Sequence, residues 1–250
     1  MPDVVFTGER IVPGVTPAGI FREHEMRYRF AGDFVRDRVV VDLASGTGVG
    51  TDLLMKFGAR ACVGLELDFR AAACAASFYR ECRFAVCDAG STCLRDGCAD
   101  VVVSFETIEH LASPAPFLAE CKRLLRPGGV FICSTPNREV HRWYAPNPFH
   151  THEFFPRELM GLMNQFFIDC RPYGQGEVVF PLHISRVLLG RLLESIRCKE
   201  RVKRLLHRPT ATAPETEFSK TSLHPEYAIK PYYSGWFLKP PYLIVTARKV

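Results

Sequence analysis

Residues 39–50, with the sequence VVVDLASGTGVG, have the residue types and the spacing of a nucleotide-binding turn. Three β-branched residues lead to Asp42, and Gly46 and Gly48 follow shortly before a helical pattern of apolar residues begins. Glycine lets a ligand approach the backbone closely, and the N–H groups in the first turn of a helix favour a polar or anionic group. We therefore interpret this stretch as a strand, a turn and a helix start that bind a nucleotide-like cofactor.

A second acidic residue points to the same kind of ligand. Residues 61–66 read as another strand that ends at Glu66, about twenty residues beyond the glycines, where a carboxylate can accept hydrogen bonds from both ribose hydroxyls. A dinucleotide fingerprint would have its third glycine at Thr51, whereas this chain has Gly50. The spacing therefore disfavours NAD as the cofactor.

These residues must be positioned by strands and helices that alternate along the chain. The predicted strands lie near 38–43, 61–66, 83–87, 100–104 and 129–135, and the predicted helices near 49–57, 69–80 and 115–125. Such alternation predicts an α/β fold with a mostly parallel sheet, right-handed crossovers and helices on both faces. Ligands of this architecture bind beyond the carboxyl ends of the strands. The last two strands are predicted at 166–170 and 242–247.

The motif at 42–48 resembles the first motif of the class I S-adenosylmethionine-dependent methyltransferases. Further blocks follow in the order of that family, at residues 64–66, 87–89, 105–111 and 125–129. The resemblance implies a Rossmann-like sheet of seven strands, mostly parallel, with an antiparallel last strand and an inserted helical segment before it. It also implies S-adenosyl-L-methionine as the cofactor and S-adenosyl-L-homocysteine as the product.

The same resemblance implies a set of cofactor-binding residues. In it, Glu66 binds the ribose, and Asp88 meets the adenine amino group. Ala44 stands where the family usually has its first glycine, and Tyr28 or Arg27 meets the methionine carboxylate. The implied cofactor-binding residues are Tyr28, Asp42, Ala44, Gly46, Gly48, Glu66, Leu67, Asp88, Ala89 and Phe105.

The N-terminal region resembles a subgroup of these methyltransferases that is associated with glycan and cell-envelope pathways. The resemblance rests on the Thr-Gly-Glu-Arg sequence at 7–10 and on the Glu-His-x-x-Arg-Tyr pattern at 23–28. It implies that an extended arm is followed by a helix that covers the cofactor site. The alternative is an ordinary amphipathic helix that packs on the edge of the sheet, with its charges in solvent.

A hydroxyl acceptor would require a general base, and histidine suits that role near neutral pH. The candidates are His152, His150 and His110, preferred in that order, because the loop after the fifth strand should face the acceptor. The alternative is that these histidines only hold the loop in place.

A metal ion is a second route to an activated hydroxyl. Glu106, Glu109 and His110 resemble a set that is linked with a divalent metal in ubiquinone-biosynthesis O-methyltransferases. Because Glu-His-Leu after the fourth strand is frequent in the family without a metal, we expect no metal site.

Composition limits the class of protein. A chain of 250 residues with 47% apolar and 24% charged residues suits one α/β domain. We divide it into an arm and cap helix (1–36), a cofactor-binding core (37–136) and an acceptor-side region (137–250). A net charge of +5 does not argue for nucleic acid as a partner. The ten cysteines form no CxxC pair, which favours reduced thiols and a cytoplasmic location.

The region between the last two predicted strands is this chain's individual part. Residues 186–208 carry eight Lys or Arg against two Glu, and leucines mark one helical face. Such a helix could touch a membrane surface, although packing on its own domain or on a partner subunit is commoner. Residues 210–222 are polar and read as a linker.

Three functions follow as hypotheses. The first is O-methylation of a small molecule or glycan, and the second is methylation of a lipid-linked or membrane-bound acceptor. The third is a non-catalytic module that binds the cofactor. The sequence leaves the acceptor and the oligomeric state open.

Overall fold

The structure, a computed structural model, describes residues 10–179, 227–232 and 238–250, together with the single positions 182, 184, 185, 188 and 189. Among these residues, no helix is long and apolar enough to cross a membrane. The predicted basic helix at 186–208 lies outside the described residues except for the exposed Leu188 and Leu189. The predicted linker at 210–222 lies outside them entirely.

Five parallel strands form the first part of the sheet. They are β1 (Val39–Leu43), β2 (Ala61–Glu66), β3 (Arg83–Val86), β4 (Ala99–Phe105) and β5 (Leu125–Pro136). Their spatial order is β3-β2-β1-β4-β5, so the chain reverses direction across the sheet between β1 and β4. Ligands of open α/β sheets bind at such a reversal.

The second part of the sheet is antiparallel. Strand β6 (Ile168–Gln175), the short β7 (Val178–Val179), β8 (Ile229–Pro231), the short β9 (Leu238–Lys239) and β10 (Tyr242–Arg248) follow in the chain. Strand β10 lies between β5 and β6 and is antiparallel to both, and β8 pairs with β6 at the edge. Strands β7 and β9 do not belong to this sheet and pair with each other in a separate two-stranded sheet.

Helices cover the sheet. They are α1 (Ala18–Val35), α2 (Val49–Lys56), α3 (Phe69–Phe78), α4 (Pro114–Leu124), α5 (Arg138–His141) and α6 (Pro156–Phe166), with a short 3-10 helix at Ile108–His110. Proline is tolerated at the first position of α4 and α6 because the N–H group there has no partner within the helix. Asp68 caps α3 by accepting a hydrogen bond from the Arg70 N–H at 2.8 Å.

The core lies on both faces of the sheet, which explains the continuous apolar runs in the central strands. Successive residues of β1 point to opposite faces: Val40 packs with Val35 of α1 and with Leu54 of α2, whereas Val41 packs in a cluster with Phe117 of α4. These side chains are all buried. Because both faces are covered, the carboxyl ends of the strands are left as the place for a site.

The fold class is confirmed, including the antiparallel last strand. The structure adds β8, which comes from the inserted region and makes the described sheet eight-stranded. The loop that follows the fifth strand contains the short helix α5, which was not predicted from the sequence. The Asn137 side chain caps that helix by accepting a hydrogen bond from the Glu139 N–H at 3.0 Å.

Candidate active site

Two adjoining cavities lie beyond the carboxyl ends of β1, β2 and β4. The larger cavity has a volume of about 430 Å³, and the smaller one has a volume of about 210 Å³. Five residues line both of them: Arg10, Ile11, His24, Glu106 and His110. Glu106 and His110 lie on the wall between the two cavities, and we call this wall the junction.

The turn between β1 and α2 forms the floor of the larger cavity. Ala44 and Gly46 adopt left-handed backbone conformations, with φ of +59° and +56°, and both line the cavity. Gly50 also lines it, and a Cβ atom there would lie 1.8 Å from Cζ of Tyr28. Gly48 (φ +82°) lies behind the turn, where a Cβ atom would meet Ala75 and Phe84 at 2.7 Å. A side chain at position 48 would therefore clash behind the turn, and a side chain at position 50 would clash with the Tyr28 ring.

Asp42 lies under this floor and ties helix α1 to the turn. It is fully buried and accepts hydrogen bonds from Thr51 Oγ1 at 2.7 Å and from the Tyr28 hydroxyl at 3.3 Å. Burial raises the pKa of Asp42 to about 7, although these hydrogen bonds oppose the rise. Tyr28 lines the larger cavity, and its ring packs edge-on against Phe105.

Glu66 stands at the end of β2 on the edge of the larger cavity. Its carboxylate accepts hydrogen bonds from the backbone N–H groups of Gly46, at 2.8 Å, and Asp68, at 3.0 Å. A carboxylate has about four lone-pair positions, so two more hydrogen bonds can be accepted. Leu67, the next residue, is exposed and also lines the cavity. This arrangement suits a ligand with two hydroxyl groups.

The N-terminal segment closes the larger cavity from above. Thr47 Oγ1 donates a hydrogen bond to the Ile11 carbonyl at 2.6 Å, and Val12 is buried. Arg10 forms an ion pair with Asp68, at the start of α3. These contacts hold residues 10–12 across the turn.

The junction rests on a buried arginine. Arg27 is 0% exposed, and its Nε donates a hydrogen bond to Gln175 Oε1 at 2.7 Å. Its guanidinium lies 4.2 Å from the centre of the Tyr242 ring and 3.6 Å from the Glu106 carboxylate. Glu106 has a left-handed backbone (φ +51°), and its carboxylate also accepts a hydrogen bond from Ser134 Oγ at 2.6 Å. These contacts fix Glu106 between the two cavities.

His110 faces both cavities with a defined tautomer. Its Nδ1 lies 3.0 Å from the Phe149 carbonyl oxygen. Because a carbonyl can only accept, Nδ1 carries the proton and Nε2 carries the lone pair. A neutral imidazole with this tautomer can act as a general base at Nε2.

His150 lines the smaller cavity beside His110, with the ring centres 4.9 Å apart. Its Nδ1 lies 3.0 Å from Glu153 Oε1, and its Nε2 lies 2.9 Å from Asn147 Nδ2. The carboxylate accepts from Nδ1, and the Asn147 amide donates to Nε2. The carboxylate therefore orients the ring, as in paired His and acid sites generally.

Known proteins resemble this chain in the same region. Residues 41–133 match the family of methyltransferase domains. A Mycolicibacterium smegmatis protein named "probable S-adenosylmethionine-dependent methyltransferase" is 38% identical over 164 residues, which are 63% of this chain and 62% of that protein. These matches support a class I S-adenosylmethionine-dependent methyltransferase domain in the region that contains the two cavities.

A solved structure of a Thermotoga maritima S-adenosylmethionine-dependent methyltransferase shares the fold, with a TM-score of 0.60, 17% identity and 92% coverage of each chain. A ubiquinone biosynthesis O-methyltransferase of Roseobacter denitrificans is 38% identical over 110 residues, which are 37% of this chain and 42% of that enzyme. The chain thus spans less than two thirds of the length of these curated relatives. The family confirms the prediction of S-adenosyl-L-methionine as the cofactor.

The predicted cofactor-binding residues of this methyltransferase fall into three groups. Six line the larger cavity: Tyr28, Ala44, Gly46, Glu66, Leu67 and Phe105. Asp42 and Gly48 lie behind the turn and shape it. Asp88 and Ala89 lie on the loop after β3, outside the two cavities, where Asp88 Oδ1 accepts a hydrogen bond from the Gly90 N–H at 2.7 Å. Arg27 lies under the junction rather than on a cavity wall.

His152, the preferred base in the sequence analysis, lies outside both cavities. Its backbone N–H donates to the Glu109 carbonyl, and its ring points toward α6, where Nε2 lies 2.6 Å from Glu158 Oε1. The side chain is 42% exposed. His110 and His150 line the smaller cavity and His152 does not, so the geometry is more favourable for His110 or His150 as the base, and the predicted order of the three stays a prediction.

Three side chains that line the smaller cavity could hold a metal ion. Ligand atoms of Glu109, His110 and His150 lie within 4.8 Å of one another. Burial and the neighbouring Glu106 carboxylate raise the pKa of Glu109 well above its usual value. The sequence analysis placed Glu106 in this set, but the structure pairs Glu106 with Arg27 and Ser134 and puts His150 near the other two.

Several residues of the smaller cavity were not predicted. Asn147 and Glu153 flank His150 in the chain, so their polar side chains around a candidate base were a signal that could have found them. His141 and Tyr242 gave no such signal, because one lies on the unpredicted α5 and the other begins the last strand. His24, which faces both cavities, was part of the N-terminal pattern.

Proposed function

We propose that this chain is an S-adenosylmethionine-dependent O-methyltransferase whose larger cavity binds the cofactor and whose smaller cavity binds the acceptor hydroxyl. The observation that carries the proposal is the position of His110, which lines both cavities and whose ring is oriented by the hydrogen bond from Nδ1 to the Phe149 carbonyl. A base at this position can meet a hydroxyl on one side and a methyl donor on the other.

We assign the cofactor-binding roles to the walls of the larger cavity. The cofactor lies close to the backbone of the turn at 44–46. The remaining hydrogen-bond acceptor positions of the Glu66 carboxylate bind the ribose hydroxyls. The Tyr28 and Phe105 rings, which pack edge-on against each other and line this cavity, would supply apolar contacts to the cofactor. When bound, S-adenosyl-L-methionine supplies the methyl group for an in-line displacement.

The chain's own residues position the acceptor and move one proton. The Nε2 atom of His110 would take the proton of the acceptor hydroxyl when that oxygen receives the methyl group. The Phe149 carbonyl keeps the tautomer and holds the ring toward the junction. Residues 10–12 exclude water from above, and positioning of this kind supplies much of the acceleration.

We infer that the acceptor is a small molecule or a glycan. Relatives that are named ubiquinone biosynthesis O-methyltransferases support oxygen as the acceptor atom. The polar lining of the smaller cavity supports a hydroxylated group. We still predict that nucleic acid is not a partner and that the location is cytoplasmic.

A metal ion held by Glu109, His110 and His150 is the alternative way to activate the hydroxyl. The two routes differ in a simple measurement. Full activity after dialysis against EDTA supports His110 as the base. Activity that is lost in EDTA and restored by a divalent cation would assign the three side chains to a metal.

The experiment that tests the proposal is transfer of labelled methyl from S-adenosyl-L-methionine into a cell extract, which is then separated into water-soluble, lipid and macromolecular fractions. We expect label in the water-soluble or glycan fraction. Label in the lipid fraction alone would favour a membrane-bound acceptor. Tight cofactor binding without transfer to any fraction would favour the non-catalytic module.

A further inference from the structure

Two cysteines lie at the ends of the loop that follows β3. Cys87 comes directly after the strand, and Cys93 is where the loop closes. The backbone N–H of Cys93 donates a hydrogen bond to the Cys87 sulfur atom at 3.1 Å, and the two side chains also form a hydrogen-bond interaction with each other. The Cys87 sulfur atom therefore lies against the residue that carries the second thiol.

The residues between the two cysteines form a compact turn. Asp88 accepts hydrogen bonds from the Ser91 N–H at 3.1 Å, through its carbonyl, and from the Gly90 N–H at 2.7 Å, through its carboxylate. Thr92 donates to the Glu120 carboxylate from its backbone N–H at 2.7 Å and from its hydroxyl at 2.6 Å. Because these contacts already hold the ends of the loop together, a bond between the two sulfur atoms closes a short loop at a small cost in chain entropy.

The two thiols are accessible to different degrees. Cys93 is exposed and Cys87 is half-buried. Burial raises the pKa of the Cys87 thiol, and the hydrogen bond from the Cys93 N–H opposes this rise. A dissolved reagent therefore meets the Cys93 thiol first, and Cys87 lies beside it as a second thiol.

The pair does not have the ligands of a metal site. A structural zinc ion takes four protein ligands. Within the part of the chain that the structure describes, no third Cys, His or acidic side chain joins Cys87 and Cys93 in a group of possible metal ligands. Two adjacent thiols without further ligands favour a disulfide bond over a bound metal.

We propose that Cys87 and Cys93 are a redox modification site, where a small-molecule disulfide such as oxidised glutathione forms a reversible disulfide bond that weakens cofactor binding. The Cys93 thiolate first attacks one sulfur atom of oxidised glutathione, so that a mixed disulfide forms and one reduced glutathione leaves. The Cys87 thiolate then attacks the Cys93 sulfur atom, and the second reduced glutathione leaves. The two protein thiols lose two protons and two electrons, and the two glutathione molecules take them up.

The loop lies on the side of the sheet where the cofactor is proposed to bind. Val86, the last residue of β3, pairs with Glu66, and the Cys87 N–H donates to the Glu66 carbonyl at 2.9 Å. The resemblance described above places the adenine amino group at Asp88, the next residue. Since two sulfur atoms must come to about 2.05 Å to form a bond, closure moves the loop and Asp88 with it. This effect on the cofactor rests on the proposed function, whereas formation of the disulfide does not.

The first measurement locates the disulfide. The full chain is incubated with oxidised or with reduced glutathione, its remaining thiols are alkylated with iodoacetamide, and the protein is digested with trypsin. Trypsin cuts after Arg83 and Arg95, so the peptide 84–95 contains Cys87 and Cys93 and no other cysteine. We expect this peptide to be free of alkyl groups and lighter by two hydrogen atoms after oxidation, and to be alkylated twice after reduction.

The second measurement is the affinity for S-adenosyl-L-homocysteine by calorimetry. We expect the oxidised protein to bind about three- to tenfold more weakly than the reduced protein, which is the effect of one lost hydrogen bond. Cys93→Ser should bind like the reduced protein under both conditions, because the backbone N–H that donates to Cys87 is kept. Cys87→Ser gives a second test if Cys93→Ser does not fold. Cys170→Ser is the control and should respond to oxidation like the unaltered protein, because this half-buried thiol lies on β6.

The outcomes separate this inference from the proposed function. A closed 84–95 peptide together with weaker binding supports the inference. Double alkylation of that peptide after oxidation, a glutathione adduct that remains on Cys93, or a closed peptide with unchanged affinity would overturn it. Failure of the reduced protein to bind S-adenosyl-L-homocysteine would contradict the proposed function itself.

Discussion

The two cavities draw on different parts of the chain. The larger cavity is lined by the turn at 44–50, by the N-terminal segment with α1, and by residues at the ends of β2 and β4. The smaller cavity collects side chains from α1, the 3-10 helix, the region 136–153 and the start of β10. The glycine turn lines the larger cavity alone, whereas the region 136–153 and the start of β10 line the smaller cavity with side chains that are distant in the chain.

Arg27 connects the two regions, and its replacement should have the largest effect on stability. Arg27→Met leaves the Glu106 carboxylate without its buried partner and removes the hydrogen bond to Gln175. We expect a loss of about 3 kcal/mol in the free energy of unfolding, measured by urea denaturation.

Arg29→Met on the same helix is the matched control. The Arg29 side chain is 43% exposed and forms an ion pair with Glu25, so its replacement should change stability by less than about 0.5 kcal/mol. Equal losses in the two variants would show that the junction does not depend on Arg27.

Gly50→Ala should damage the cofactor cavity alone. The new methyl group would overlap the Tyr28 ring, so Tyr28 must leave its place against the turn. We expect a loss of about 2 kcal/mol in stability and at least about a tenfold loss in S-adenosyl-L-homocysteine affinity by calorimetry.

Gly161→Ala provides the comparison for that variant. Gly161 lies in α6, and a Cβ atom there would meet nothing within 4 Å among the described residues. Its replacement should stabilise the helix by about 0.5–1 kcal/mol and leave cofactor affinity unchanged. Unchanged affinity in Gly50→Ala would contradict the placement of the cofactor on this turn.

His110→Ala should affect the acceptor side alone. Loss of the base should lower turnover about 100-fold, whereas the dissociation constant of S-adenosyl-L-homocysteine should change less than about twofold. His152→Ala should leave turnover close to that of the unaltered protein, because its ring lies toward Glu158. If His152→Ala instead had the lower turnover of the two variants, the result would support His152 as the base, as the sequence predicted.

A further effect concerns the pH dependence of stability through Asp42 and has a defined sign. The carboxyl group ionises near 3.8 in an unfolded chain and at about 7 in the folded protein, so between these values only the folded protein keeps the proton. Stability should therefore fall as the pH rises from 5 to 7, by about 1.4 kcal/mol per pH unit from this group. Asp42→Asn should remove that contribution, so the difference in unfolding free energy between the two proteins should change with pH. Parallel stability curves would contradict the buried, protonated Asp42.

The comparison also explains what the sequence could predict. The strands, the glycine turn and Glu66 follow from short contiguous patterns, because β-branched runs and glycine spacing act locally. The backbone conformation of Ala44 could not be predicted from the sequence. The structure shows that it is left-handed, a conformation that glycine adopts without strain.

The acceptor side could be predicted only in part. The loop with His150 was found, but a side chain's direction in a loop depends on its tertiary contacts. Residues 150 and 152 differ by two positions, yet one ring faces the cavity beside His110 and the other faces α6. His141 and Tyr242 are about a hundred residues apart in the chain and line the same cavity, which no local pattern encodes.

The most direct test of the central claim is a crystal structure of the full chain with S-adenosyl-L-homocysteine. We expect the ribose at Glu66 and the sulfur atom at the junction between Glu106 and His110, with the smaller cavity open beyond it. A sulfur atom that faces away from His110, with no path to the smaller cavity, would contradict methyl transfer across the junction.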